Sequence, residues 1–365
     1  MSCYHPLKAW PIGLTEAGKT KYKITSYDVH HLEMRNGIWN TCTTELLSPY
    51  RDKSVMDFVE IPCGKCIGCR LEYSRQWANR CMLELQYHQS AYFVTLTYND
   101  EHVPVSYYDD PETGEAFPSL TLRKRDFQLF MKRLRKRFCK YGSRTVGELS
   151  LSSGIYSDSI RFFAAGEYGS ETYRPHYHAI LFGLELNDLI LYKKSRGFSY
   201  YYSLSLQECW SEYVSGCYLP LGYVVVAPVT WETCAYVARY TMKKLTGPET
   251  DFYTQFNIEP PFSLMSRKPG IGRQWYDDHP DCMSVEYINV STSDGGRKFR
   301  PPKYYEKLYE IEYPEKSAAL KATRKRMAEE AKKFKLSKTT LNYMDYLQVE
   351  EDCLEGRIKS LERKL

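Results

Sequence analysis

GEYGSETYRPHYHAILFG, residues 166–183, decides how the rest of the chain is read. Apolar and aromatic runs flank a polar turn, SETYRP (170–175). IRFFAAGEYG (160–169) and HYHAILFGLE (176–185) are therefore expected as the arms of an antiparallel hairpin. Alternate residues of a strand share a face, which sets the His176 and His178 imidazoles side by side. Glu167 stands nine residues before His176, and the turn folds it back beside the pair. Two imidazole nitrogens and one carboxylate can hold one divalent cation and leave coordination positions open. That suits a reacting centre better than a closed structural site. Mg2+ or Mn2+ is the expected ion.

Outward from the hairpin, AYFVTLTYND (91–100) and GYVVVAPV (222–229) read as further strands, rich in β-branched and aromatic residues. Residues 101–120 should form a loop or hairpin. The spacing of Leu71, Trp77, Cys81, Met82 and Leu85 predicts a helix from about Arg70 to Gln89. Phe127, Phe130, Met131, Leu134 and Phe138 form the stripe of another, about 122–140, with Thr121 able to cap it. Further helices are expected at 205–215 and 231–245, the second stopped by Gly247-Pro248. Strands and helices alternate without a parallel-sheet motif, so the fold class is α+β: a central antiparallel sheet with flanking helices. Four segments follow: a Cys-rich stretch (1–90, irregular or β-rich over 1–62), the sheet-bearing core (91–248, with a polar insertion at 143–156), an aromatic, Gly-containing extension (249–303) and a charged helical tail (304–365).

YVARYTMKK (236–244) lies on the last core helix. Tyr236 and Tyr240, at i and i+4, share a helix face. Lys243 and Lys244 follow within a turn, and Lys244 shares the face with Tyr240. A phenol, with a free pKa of about 10, is a poor nucleophile at neutral pH. A nearby cation favours the phenolate, and a divalent metal neutralises and orients a phosphate for in-line attack. The product is a phosphotyrosine ester that keeps the bond energy for rejoining. This is the chemistry of a nicking-and-joining enzyme. The plainer alternative is that one or both tyrosines pack on the sheet.

The formal net charge is only +5, but RKRDFQLFMKRLRKR (123–137) carries one acid among many bases. Arg133, Arg135, Lys136 and Arg137 lie mostly off the apolar stripe, as a solvated face or a DNA contact. SRKPGIGR (266–273) sets Arg267, Lys268 and Arg273 around two glycines, as a phosphate cradle or a surface turn. The 33 tyrosines fit half-buried sheet positions, and some can stack on unpaired bases. No apolar run is long enough to span a membrane, and MSCYHPLKAWPIG lacks the apolar core of a signal peptide. A cytosolic location is expected, where the 12 cysteines serve as thiols or metal ligands. Cys63, Cys66 and Cys69 form C-x2-C-x2-C, which one more ligand would close into a zinc site. Cys3 ranks first for that place, His5 next and Cys81 third. Reduced thiols without metal, or an iron–sulfur cluster, remain alternatives.

Taken in order, FVTLTYND (93–100), PHYH (175–178) and YVARYTMKK (236–244) resemble the three motifs of the HUH endonuclease superfamily of replication initiators and relaxases. CYHPLKAW (3–10), PCGKCIGCR (62–70), GEYG (166–169) and SRKPGIG (266–272) narrow the resemblance to replication initiators of microviruses of gokushovirus type, across about residues 3–275. The resemblance implies an antiparallel core like that of RNA-recognition folds, with the His pair on a central strand and Glu167 completing the metal set. It implies origin DNA, cut on one strand, as substrate. The enzyme stays on the 5′ phosphate and leaves a 3′ hydroxyl as primer, while Tyr236 and Tyr240 alternate through rolling-circle replication of a single-stranded DNA phage. Host helicase and polymerase are the implied partners, in the host cytoplasm. A plasmid relaxase or transposase with the same site is the enzymatic alternative. A non-catalytic, zinc-containing nucleic-acid-binding protein is the alternative from another class.

Overall fold

The computed structural model describes residues 3–16, 18–138, 160–195, 197–240, 250–292 and 295–362. Two compact units emerge: Met1–Glu72 with Tyr313–Leu365, and Tyr73–Glu312. They cut across the expected segments. The tail is divided after Glu312, and its two longer helices, Pro314–Leu336 and Tyr343–Glu362, belong with the N-terminal stretch.

The second unit is built on one seven-stranded sheet. Its strands are β1 (Ala91–Thr97), β2 (Arg161–Tyr168), β3 (Pro175–Phe182), β4 (Leu189–Ser195), β5 (Phe198–Ser203), β6 (Val224–Pro228) and β7 (Phe262–Met265). Their spatial order is β4-β5-β6-β1-β3-β2-β7, with every pair antiparallel. The α+β class with a large antiparallel sheet is thus observed. The strand carrying the two histidines, β3, is central, between β1 and β2.

Alternation along the strands sorts two apolar layers. Leu96, Tyr177, Ala179 and Leu181 face one side. They pack there with Phe127, Phe130, Met131 and Leu134 of α2 (Lys124–Phe138) and with Leu206 and Cys209 of α3 (Leu204–Cys209). Phe93, Phe163, Ala165, Ile180 and Phe182 face the other side. There they meet Trp77, Ala78, Cys81 and Met82 of α1 (Ile67–Leu85) and Cys234, Ala235, Val237 and Ala238 of α4 (Trp231–Tyr240). Cys81 is therefore a core residue, not a zinc ligand.

Tyr177, between the two histidines in sequence, points into the first layer and is fully buried. Its hydroxyl donates to the Arg123 carbonyl at 2.8 Å, accepts from the Arg123 amide at 3.1 Å and meets the Tyr98 hydroxyl at 2.8 Å. Tyr98 in turn donates to Asp126 at 2.7 Å. Burial, first of all, raises the pKa of both phenols, so they stay protonated donors. The strand is thus pinned from behind while its other face is left for the histidines.

Several local expectations are corrected. Helix α2 begins at Lys124, so Thr121 is not its cap; its hydroxyl accepts from the Glu259 amide instead. The helix at 205–215 ends at Cys209, and Ser211–Val214 pairs with Cys217–Pro220. Strands β4 and β5 were not foreseen, and neither was edge strand β7 within the aromatic extension. Residues 101–120 form the hairpin Val105–Asp109 with Ala116–Leu120. The polar insertion at 143–156 lies outside the described residues.

The first unit holds two three-stranded sheets, centred on Leu7–Leu14 and His31–Arg35, and the two C-terminal helices. Tyr343 donates to Glu60 at 2.8 Å, and Lys332 reaches Glu60 at 3.1 Å. Among the described residues no helix is long and apolar enough to cross a membrane.

Candidate active site

The hairpin register sets Glu167 directly opposite His176 and Ala165 opposite His178. On the other flank, His178 stands opposite Thr95 of β1. Strand pairing alone therefore brings one carboxylate and two imidazoles together on the face covered by α1 and α4. Glu167 Oε1 is 2.7 Å from His176 Nε2 and 3.3 Å from His178 Nε2. One ligand atom from each residue lies within 4.8 Å of the other two.

The far nitrogen of each ring is also engaged. His176 Nδ1 is 3.1 Å from the Arg174 carbonyl, which can only accept, so Nδ1 carries a proton and Nε2 is the nitrogen that faces Glu167. His178 Nδ1 is 3.0 Å from the Thr95 hydroxyl. Partners of this kind fix the ring and tautomer that a metal needs. Burial alone would raise the Glu167 pKa. Hydrogen bonds from His176 and His178, and their charge, outweigh it and hold the group down at about 2. Lone pairs of a carboxylate and an imidazole aimed at each other need a cation between them. A proton serves in the metal-free protein, and a divalent ion fits the same donors.

Helix α4 lies over this set. Thr230 and Thr233 start it with reciprocal bonds: Thr230 N–H to Thr233 Oγ1 at 2.9 Å, and Thr233 N–H to Thr230 Oγ1 at 3.2 Å. The Ser74 hydroxyl and Asn79 of α1 anchor it further, at the Ala235 carbonyl and Trp231 Nε1. Tyr236 faces the sheet side of the site, 39% exposed. Its ring centroid lies 5.2 Å from that of His178 and 6.0 Å from that of Phe93, while the Arg239 guanidinium stands 6.0 Å from the ring. Tyr236 is thus on the same side of the sheet as Glu167, His176 and His178. The Tyr240 backbone closes α4 one turn on. Its side chain, and Lys243 and Lys244, lie outside the described residues.

Three residues at the site escaped the sequence reading: Thr95, Phe93, which stacks on His178 at 5.5 Å, and Arg174. Arg174 spans the turn, bonding Asp100 at 2.6 Å and the Tyr98 carbonyl at 3.1 Å. Strict alternation along FVTLTYND would have set Phe93 and Thr95 on the His178 face, given the pairing of β1 with β3.

The two basic elements are not brought to this site. Helix α2 packs on the opposite face of the sheet. There Arg133 reaches the Cys209 carbonyl, Arg135 the Ile160 carbonyl and Arg137 pairs with Glu208, leaving Lys136 exposed. The apolar stripe decides which way α2 faces, and the arginines end up tying it to its neighbours. The glycine loop is likewise a docking element. The Gly272 amide donates to buried Glu84 at 2.7 Å. Arg80 holds the Ile271 carbonyl at 2.9 Å and is sandwiched between Trp77 and Tyr304. Arg273 is occupied by Asp277 and Glu312, while Arg267 and Lys268 are exposed.

In the first unit the sulfurs of Cys3, Cys63, Cys66 and Cys69 gather within 4.8 Å of one another. His5 does not join them. It turns to Glu351, 2.5 Å away.

A family model described as replication-associated protein, of the ORF2 type, matches residues 91–245, from the first sheet strand through α4. The chain is 29% identical over 310 residues to the replication-associated protein ORF2 of Spiroplasma virus 4, covering 84% of this chain and 85% of that protein. It is equally 29% identical over 324 residues to the replication-associated protein VP4 of Bdellovibrio phage phiMH2K, covering 83% and 89%. A shorter match, 29% over 189 residues, covers 50% of this chain and 38% of the replication-associated protein ORF4 of Chlamydia phage 1. No solved structure matches the chain. With the family match spanning the whole hairpin and α4, and two relatives aligned along more than four-fifths of its length, the chain is similar to replication-associated proteins of phages.

Proposed function

We propose that this protein is a metal-dependent tyrosine endonuclease of HUH type that nicks the origin strand of phage DNA and later rejoins it, driving rolling-circle replication. The observation that carries the reading is the Tyr236 ring 5.2 Å from His178, on the sheet face that holds Glu167 and His176. A bound divalent cation would neutralise the scissile phosphate and turn it toward the phenol. Glu167, His176 and His178 would hold it, with the two rings oriented by the Arg174 carbonyl and the Thr95 hydroxyl. The Tyr236 oxygen attacks phosphorus and loses its proton. The bond from phosphorus to the 3′ oxygen breaks, and that oxygen takes a proton to become the priming 3′ hydroxyl. The 5′ phosphate remains on tyrosine as an ester, which a later 3′ hydroxyl can attack to reseal the strand. Tyr240, one turn away, supplies the second cut when the origin is regenerated. Extending the primer on an unwound template calls for host polymerase and helicase, in the host cytoplasm.

The donor set also bears on the ion. Imidazole nitrogens suit Mn2+ better than Mg2+, which prefers oxygen ligands. Nicking should therefore reach half-maximal rate at lower Mn2+ than Mg2+. Incubating the protein with end-labelled single-stranded origin DNA and either ion should give a denaturant-resistant adduct. Tyr236→Phe with Tyr240→Phe should abolish it, and His176→Ala should remove cleavage while leaving much of the DNA binding, which phosphate contacts dominate. Retarded DNA without adduct under any divalent ion would favour a non-catalytic binder. Cleavage persisting in the double tyrosine variant would refute the nucleophile.

A further inference from the structure

We infer that Cys3, Cys63, Cys66 and Cys69 form a closed four-thiolate zinc site whose task is to hold the N-terminal unit together, independently of the nuclease reading. The two C-x2-C steps stand at the entry to α1: Gly64 takes a positive φ of 75° between Cys63 and Cys66, and Cys69 is on the helix's first turn. The fourth sulfur comes from the far end of the sequence interval, 60 residues before Cys63. A tetrahedral ion with Zn–S bonds of about 2.3 Å spaces its sulfurs about 3.8 Å apart. Cys63 and Cys69 stand at 4.0 Å, as do Cys3 and Cys66. Those separations are about twice a disulfide's S–S length.

The backbone around the sulfurs is arranged for thiolates. Cys63 Sγ accepts from the Lys65 and Cys66 amides at 3.4 and 3.3 Å. Cys66 Sγ accepts from the Tyr4 and Cys69 amides at 3.4 and 3.5 Å, and Cys3 Sγ from the Cys63 amide at 3.2 Å. Five N–H donors aimed at three sulfurs favour the deprotonated form that a metal requires. Four sulfurs, no carboxylate and no open position make a structural site that selects zinc over the oxygen-loving ion of the sheet. Cys3 and Cys66 are buried, at 5% and 8% exposure, and Cys63 and Cys69 are half-buried.

The unit needs such a tie. Among the described residues, its apolar cluster of Trp10, Val29 and Leu32, with Ile12, Trp39, Val55 and Phe58 against it, is small, and a core of that size supplies little stability. Zinc would stitch the strand that follows Cys3 to the start of α1. His5, two residues on, is instead committed to Glu351 on the C-terminal helix.

The test uses the full chain in a His176→Ala, His178→Ala background, so that the sheet site contributes no metal. The expected result is about one zinc per chain by elemental analysis, with X-ray absorption showing four sulfur neighbours near 2.3 Å. Cobalt exchanged for zinc should give thiolate-to-cobalt charge-transfer bands and the intense visible bands of a tetrahedral site. Cys3→Ser should lose one sulfur neighbour and weaken retention against chelator, whereas His5→Gln should leave the spectrum unchanged. Metal-free protein with freely alkylated thiols and an unaltered melting curve would overturn the proposal. So would a nitrogen neighbour that disappears in His5→Gln, or iron in place of zinc. Should Cys3→Ser fail to fold, the absorption and cobalt spectra of the cysteine-intact chain decide the matter.

Discussion

Thr95→Val is a near-isosteric change that removes one hydroxyl and tests whether the histidines hold a cation. Thr95 Oγ1 meets His178 Nδ1 at 3.0 Å, in a place where His178 is 5% exposed. A metal on Nε2 obliges Nδ1 to carry the proton, and in the variant that N–H has nowhere to donate. A buried unsatisfied donor costs about 1–3 kcal/mol. The metal-free protein escapes most of that cost, because the ring can move its proton to Nε2, which faces Glu167 at 3.3 Å. The penalty therefore falls on the bound state. At about 1.4 kcal/mol per tenfold, the dissociation constant for Mn2+ should rise roughly 10- to 100-fold, the range seen when partners of metal-bound histidines are removed. Calorimetric titration with Mn2+ reads the constant directly, and nicking at saturating Mn2+ should recover most of its rate, since Tyr236 is untouched. Wild-type Mn2+ affinity in Thr95→Val would refute the tautomer argument. Lost nicking that saturating metal fails to restore would refute the positioning role.

Three further outcomes follow from the same geometry. Glu84, 3% exposed, accepts from the Gly272 amide, pairs with Arg161 and lies 3.3 Å from His88. Burial would raise its pKa, but these partners hold it below the ordinary value. Its stabilisation is therefore present above the unfolded pKa of about 4.3 and is lost as pH falls through the lower folded value. Glu84→Gln should cost about 3 kcal/mol at neutral pH and flatten the acid limb of stability, as urea unfolding across pH would show. In Gly272→Ala the new methyl would sit 3.1 Å from the Tyr305 hydroxyl at a φ of +73°, so about 2 kcal/mol of stability should go while DNA affinity is unchanged; a matching loss of DNA binding would restore the phosphate-cradle reading. Arg133→Gln with Arg137→Gln should lower stability by about 1 kcal/mol yet leave the salt dependence of DNA binding as it is. A fall of nearly one in that slope per arginine would return α2 to the DNA interface.

How legible the chain was depended on range. The hairpin carrying Glu167, His176 and His178 could be read because its two arms are joined by a short turn and strand alternation fixes the face of each side chain. Strands β1 and β6 were marked by β-branched and aromatic runs, yet their neighbours in the sheet were not marked at all. Strand β5, FSYYYS, pairs through aromatics with no apolar alternation, and β4, LILYKKS, is largely exposed. Strand β7 joins the sheet edge opposite β2 from nearly a hundred residues away, a pairing no local pattern announces. The position of the basic stripe was hidden for a related reason. Charge off an apolar stripe says a helix face is not core, but not which side of the sheet the helix covers. Cys3 joins the cysteine cluster across 60 residues, a distance over which local spacing carries no signal.

The N-terminal unit is completed only by residues from Tyr313 onward, so the sheet unit interrupts it in the sequence. On the ribosome, the strands around Trp10 and Leu32 emerge before the sheet unit and wait for their helices. At about 5–20 residues per second, that delay lasts while the whole sheet unit is synthesised. The seven-stranded sheet has its last strand by Met265 and can close first. The N-terminal unit is thus begun before the sheet unit and completed after it.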